Sequence, residues 1–383
     1  NNQSMIISKT MMNQRTSTLL LYFVVATLAI TSCSGLSFPS PSSSTSRSNG
    51  NDINRQSINR RDAISQGFAA AVVTTAGVTS NILPFPSPPS AFAADSNTAV
   101  TAAGTINPIA TLSDGTEFPL GSFGLQVYDD NTAYRLTMLA LETGYRNFFA
   151  SVLAGNQKGF AKAVKDSGIP RDELYICGSV VSNRAQGFDA AKTATTKGWK
   201  RNMEAFAAGD ITYLDQIMLD YPGPDCASIQ GQWSAFQEMQ SQGLTKTLSV
   251  SNFSPSQLDC LLVDMKSKGQ LSVAPVVNQL PFSVAYHPGN SIAENSKRGV
   301  LVQAWAPLGG SLGGRFDSKI KGACAKIGKS YNKSFAQVAL RWIVQSGGSF
   351  TTQSKNVDHF KEDLNIFDFE LTENEMKTLD SLA

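Results

Sequence analysis

The side chains best able to do chemistry stand where short apolar runs end. In Thr247-Leu-Ser-Val-Ser-Asn-Phe-Ser-Pro-Ser-Gln-Leu258, apolar Leu248 and Val250 make a buried strand, and Ser251 and Asn252 fall at its C-terminal end. There they either hold a ligand or simply cap a turn. Asp220 closes another such run, Leu214 to Leu219, beside Ser179 and Asn147. It could deliver a proton if burial against Phe149 raised its pKa, although an ionised aspartate lining a wet pocket is the plainer reading. Trp305 ends Val300-Leu-Val-Gln-Ala-Trp305 and offers a face for a flat heterocycle or plain core packing. His287, in Ala285-Tyr-His-Pro288, reads as a loop residue. Cys177, Cys226, Cys260 and Cys324 are scattered with no C-x-x-C, so metal and dithiol readings have little support. A disulfide among them requires an oxidising compartment, and Cys177 in a strand reads as a small core residue.

To bring such residues to one rim, the strands must run parallel. Ser254, Pro255 and Gln257 supply an N-cap, a first-turn proline and a capping-box partner, so a helix follows the strand that ends at Ser251. The same alternation recurs. Strands are expected near Ser122-Gln126, Tyr145-Ala150, Leu174-Val180, Leu214-Leu219, Thr247-Val250, Val276-Gln279, Val300-Ala304 and Ser349-Thr352, with helices such as Asn131-Glu142 and Lys319-Tyr331 between them. Eight strand-helix units predict an α/β fold, a (β/α)8 TIM barrel with its site at the C-terminal strand ends. Asp114-Gly115, between Leu112 and Phe118, predicts a small N-terminal β-hairpin. A doubly wound sheet would need G-x-G-x-x-G after its first strand; Gly309-Gly310 and Gly313-Gly314 are wrongly placed for it.

The chain has 383 residues and a net charge of +2, a balance that argues for no nucleic-acid partner. Residues 1–93 differ in composition and read as a targeting leader. Thr18 to Ile30 is an apolar run preceded by Lys9 and Arg15, as in a signal peptide, and too short for a comfortable membrane span. A Ser/Arg/Asn-rich transit-like stretch follows. Arg60-Arg61 then precedes an Ala/Val/Thr run and Ala91-Phe-Ala93, as in a twin-arginine export signal. Stacked in this order, the elements predict delivery to a plastid, to the thylakoid lumen or alternatively the stroma. Residues 94–110 are expected to be a linker, 111–383 the barrel, and the mature chain to have no membrane span.

The order of Gly144-Tyr-Arg146, Ser167-Gly-Ile-Pro-Arg-Asp-Glu-Leu174, Ser251-Asn252, Pro275-Val-Val-Asn-Gln279, Val300 to Gly309 and Ala336 to Trp342 resembles the aldo-keto reductase family, from Thr111 to the C-terminus. Such a protein moves hydride from a nicotinamide to a carbonyl carbon while a tyrosine, made acidic by a lysine paired with an aspartate, protonates the oxygen and a histidine orients the carbonyl. Laid on the family's D-T-A-x-x-Y-G-N-E, strand-three lysine and L-I-H-W-P patterns, this chain has Phe149 for the aspartate, Ala154 for the tyrosine, Ser179 for the lysine and Asp220 for the histidine. Gly155-Asn156 and Tyr221-Pro222 hold the register.

By the same resemblance Ser251, Asn252 and Gln279 match the partners of the nicotinamide carboxamide, and Trp305 stands where a tyrosine stacks under the ring. At the phosphate end Gln353 replaces a lysine, Ser354 is kept, His359 replaces the arginine that reads a 2′-phosphate, Glu362 is kept, and Asp363 replaces an asparagine. The implied cofactor is NADPH, weakly bound, with NADH open beside it, and the implied ligands are a nicotinamide dinucleotide or a small carbonyl compound. A histidine gains charge under acid, so dinucleotide binding that leans on His359 is expected to strengthen as pH falls; equal affinity at both ends of the range counts against it. The leading expectation is a barrel without the standard reductase activity, serving as a binding or assembly module. The alternatives are an active oxidoreductase using Asp220 as proton donor, and a lyase or isomerase reaction in a remodelled pocket.

Overall fold

The computed structural model describes residues 98–100, 106–125, 128–267, 273–310 and 313–383. The leader expected over 1–93 lies outside the described residues. The strands β4 (Gly121–Gly124), β5 (Asn147–Ala150), β6 (Tyr175–Val180), β7 (Leu214–Asp220), β8 (Thr245–Ser251), β9 (Val277–Pro281), β10 (Leu301–Trp305) and β11 (Ser349–Thr352) close into one parallel barrel, with β11 pairing back onto β4. This is the expected TIM barrel, each strand within a few residues of its sequence position.

Alternation along the strands makes the layers. Phe123, Phe148, Ile176, Val180, Ile217, Leu219, Leu248 and Val250 pack into one outer core. The intervening residues are unusually polar for a barrel interior, which is commonly Val, Ile and Leu. There Tyr175 Oη donates to Gln216 at 2.8 Å, and Gln216 Nε2 donates to Ser249 Oγ at 2.5 Å.

Around the barrel run α1 (Asp130–Thr143), α2 (Gln157–Asp166), α3 (Phe188–Phe206), α4 (Cys226–Ser241), α5 (Pro255–Ser267), α6 (Ser291–Ser296), α7 (Ser318–Gly328), α8 (Phe335–Gln345), α9 (Val357–Leu364) and α10 (Glu373–Asp380). The start of α5 is as expected: Ser254 N donates to Gln257 Oε1 at 2.9 Å and Gln257 N to Ser254 Oγ at 3.4 Å. Gly159 is required where α2 crosses α1, since a Cβ there would stand 2.0 Å from the Asp130 carbonyl oxygen. None of the described helices is long and apolar enough to cross a membrane.

The expected hairpin is present, with a larger reach. β2 (Ile106–Thr111) and β3 (Glu117–Pro119) pair across the Asp114-Gly115 turn, and β1 (Thr98–Val100) adds a third antiparallel strand. Gly115 takes φ 86°, open to glycine without strain. The segment 94–110, read as a linker, therefore carries β1 and most of β2. Leu112 and Phe118 plug the barrel base against Tyr175, Val276, Val277 and Leu301.

Cys226 and Cys260 form a disulfide with their Cα atoms 5.4 Å apart, joining α4 to α5 across 34 residues of chain. Cys177 and Cys324 are free and buried. Closing a loop of that length stabilises the fold by about 3–4 kcal/mol on the chain-entropy model. A Cys226→Ser, Cys260→Ser variant should lose about that much in denaturant melts, and the same loss should follow reduction of the wild type.

Candidate active site

Asp220, Ser251 and Trp305 end β7, β8 and β10, and Gln279 pairs with Ser251 within β9, so the barrel brings these expected site residues together. Asn252, directly after β8, has φ 63°, a left-handed conformation that asparagine tolerates. It is held there by its N–H to the Gln279 carbonyl at 2.9 Å. Its side chain then bridges the mouth. Asn252 Nδ2 donates to Ser251 Oγ at 2.9 Å and reaches Asp220 Oδ1 at 3.4 Å, while the Trp305 indole N–H donates to Asn252 Oδ1 at 3.2 Å. Gln279 Nε2 donates to Gln303 Oε1 at 2.8 Å. Gln303 was not picked out in the sequence, where it is one polar letter inside an apolar strand.

The other three positions laid on the family's catalytic pattern hold no acid or cation. Phe149 is buried with Cys177 and Met218 in a small apolar cluster on the barrel axis. Ala154 sits in the turn before α2, its N–H on the Ser151 carbonyl at 3.3 Å. Ser179 is fully buried, and its Oγ accepts the Val152 N–H at 3.2 Å. Asn147 is not beside Asp220, as its place in the sequence had suggested: it lies near the barrel base and donates to the Pro119 carbonyl at 2.8 Å. The flanking Asn156 and Gln157 are structural. Asn156 Nδ2 donates to the Leu125 and Tyr128 carbonyls, and Gln157 Nε2 to the Ala150 carbonyl and Asn202 Oδ1.

From Trp305 and Phe149 a groove of about 470 Å³ runs past Pro307 and Leu308 to Gln353, Ser354, His359, Glu362 and Asp363. Ser354 Oγ and His359 Nδ1 are 3.1 Å apart. Glu362, expected to face a nucleotide, accepts the Ser334 hydroxyl at 3.2 Å and so helps to anchor α8. Asp363 is buried, bonded by the Thr352 hydroxyl, and Thr352 Oγ1 is 3.4 Å from Tyr145 Oη. That chain could not be read from sequence, because Tyr145 and Thr352 are 207 residues apart. Thr351 Oγ1, on the groove wall, is buried without a partner.

The fit to a nicotinamide nucleotide differs between the two ends. At the mouth, neutral amides, a hydroxyl and an indole suit a carboxamide on a flat ring. Gln279 Nε2 is committed to Gln303, and among the described residues no hydrogen bond engages its Oε1. At the far end no Lys or Arg stands among the described lining residues, and the N–H groups of Gly309 and Gly310 are taken by the Ala306 and Gly314 carbonyls. A 2′-phosphate finds no fixed cation there.

Two buried carboxyls give the site a pH response. Burial pushes the Asp220 carboxyl up to about 7, against the opposing hydrogen bonds from Ser251 and Asn252. Burial likewise pushes Asp363 up to about 7, opposed by its Thr352 hydrogen bond and aided by Glu362. Each folded carboxyl thus holds its proton more tightly than in the unfolded chain. Their contribution to stability is complete in acid and is lost as pH rises through about 7, to the extent of at most about 4 kcal/mol each. Unfolding free energy should therefore fall between about pH 4 and about pH 7, and the fall should shrink in an Asp220→Asn, Asp363→Asn variant. An unchanged slope in that variant would place the response elsewhere.

Comparison with known proteins follows the same outline. A model of the Aldo/keto reductase family matches residues 118–383. The chain is 31% identical over 276 residues to the Glyoxal reductase of Bacillus subtilis, covering 71% of this chain and 91% of that protein. It is 28% identical over 275 residues to an Aldo-keto reductase of Mycolicibacterium smegmatis, covering 72% and 90%. The crystal structure of an aldo/keto reductase from Brucella melitensis superposes with a TM-score of 0.63 at 26% identity, over 72% of this chain and all of that one, 100%.

Proposed function

The chain belongs to the aldo/keto reductase family, and on that premise we propose that it keeps the nicotinamide end of the cofactor groove while the standard carbonyl reductase activity is lost. The observation that carries this reading is at Ala154 and Ser179: a methyl group in a turn and a buried hydroxyl engaged by the Val152 N–H stand where the resemblance places the phenol and the ammonium. Without an acidic hydroxyl the carbonyl oxygen has no proton to collect as hydride arrives. Binding is the function left to the groove, as a nicotinamide-binding or small-ligand-binding module.

One observation favours a second reading. Asp220 is buried at the mouth, and its carboxyl is pushed up to about 7, so near neutral pH part of it carries a proton. In that reading the chain is an active oxidoreductase with Asp220 as the acid. An Asp220→Asn variant that left a measured reduction unchanged would remove it.

We further propose the thylakoid lumen as the site of action. The order of leader elements over 1–93 supports it, the Cys226–Cys260 disulfide suits an oxidising compartment, and the two buried carboxyls favour the fold under acid. The groove is tested by tryptophan fluorescence titrated with NADPH and NADH, with Trp305→Phe as control. Quenching that disappears in the control is expected; no quenching at millimolar nucleotide on a folded sample refutes retention of the nicotinamide end.

A further inference from the structure

Asp220 is a carboxyl that the protein buries without balancing. It is 6% exposed, and among the described residues it enters no ion pair. The contrast lies in the same strand. Asp215, also buried, has Arg171 at 2.7 Å and Lys246 at 2.8 Å. Asp220 meets only neutral donors, the Ser251 hydroxyl and Asn252 Nδ2. The titratable neighbour that feels its charge is the Cys177 thiol on β6. Among its described lining residues the groove that opens beside Trp305 has no Lys or Arg, and it carries Glu362 and Asp363 at its other end.

A buried anion with no counter-charge is relieved either by a proton or by a ligand that brings positive charge. A nicotinamide ring exists in two forms that differ in this respect: the oxidised ring is a pyridinium cation, and the reduced ring is a neutral dihydropyridine. Ser251 and Asn252, the side chains suited to its carboxamide, are also the ones bonded to Asp220, so a ring held by them lies close to the carboxylate. Trp305, tied edge-on to Asn252, supplies an aromatic face, which also favours a cation over a neutral ring. We propose that the groove is selective for the oxidised, pyridinium form of a nicotinamide nucleotide, with Asp220 as its counter-charge and Trp305 as its aromatic support. This rests on the reading that the nicotinamide end of the groove still binds. Such a protein reports the oxidised part of a nucleotide pool.

Calorimetric titration of the full chain with NAD+, NADH, NADP+ and NADPH, at about pH 8.5 and about pH 5.5, tests it. At the higher pH each oxidised nucleotide is expected to bind about tenfold or more tightly than its reduced partner. That ratio should fall towards one at the lower pH, where Asp220 is protonated, and at both pH values in Asp220→Asn. Titration of Asp363 at the far end acts on both redox forms and cancels in the ratio. A reduced form that binds as tightly as its oxidised partner in the wild type at about pH 8.5, or the same ratio in Asp220→Asn, overturns the proposal. Binding of none of the four overturns the groove reading beneath it, a distinguishable failure.

Discussion

Offered glyoxal and NADPH, the chain is expected to turn over about 10²–10⁴-fold more slowly than the Bacillus subtilis Glyoxal reductase assayed beside it, the range that loss of general acid catalysis commonly costs. The hydride donor and the carbonyl can both be present and still fail to react, because negative charge grows on the oxygen and nothing neutralises it. Ser179 does not substitute: its hydroxyl accepts the Val152 N–H and is fully buried. Phe149 excludes a local carboxylate that could have paired with a lysine. If Asp220 acted as the acid, the residual rate would drop as pH rose through about 7 and would vanish in Asp220→Asn. A rate equal to that of the relative, with no such pH dependence, contradicts this account of the site.

Phe360→Ala is expected to cost about 3–5 kcal/mol in denaturant unfolding, the range for deleting a buried phenylalanine. Phe360 is fully buried on α9, with its ring 4.7 Å from Phe123 on β4 and 6.3 Å from Tyr145. This aromatic cluster fixes α9, and with it His359, Glu362 and Asp363, against the barrel. Tyr145 also backs Thr352, the residue bonded to Asp363. The cavity should therefore loosen the far wall of the groove as well as the fold, so nucleotide affinity should weaken together with stability. A loss below about 1 kcal/mol would mean that α9 is held by other contacts.

The barrel was legible because its signals are local. Leu248 and Val250 alternate with Ser249 and Ser251, and Ser254 to Gln257 spell out a capping box, so one strand and one helix start follow from twelve letters. Asp114-Gly115 marked its turn for the same reason. β2 was hidden by Pro108, which has no N–H to donate and reads as a break inside what is the central strand of the small sheet. The site was legible only by position. Ser251, Asn252, Gln279 and Trp305 do meet at one mouth, but the bonds among them join separate strands: Trp305 and Asn252 are 53 residues apart. Nor could the burial of Asp220 without a cation be read, because it depends on what every neighbouring strand fails to supply. The Cys226–Cys260 pairing belongs to the same class, set by how α4 and α5 pack.

A single-turnover experiment separates binding from reduction. The chain, in excess over NADPH so that the nucleotide is bound, is mixed with saturating aldehyde while the nicotinamide absorbance is followed. Binding without reduction predicts quenched Trp305 fluorescence, which reports occupancy, and a nicotinamide signal that decays at least about 10²-fold more slowly than on the Bacillus subtilis Glyoxal reductase run beside it. Rapid loss of that signal on the bound nucleotide, with alcohol formed in equal amount, would contradict it and make this chain a working reductase with a different acid.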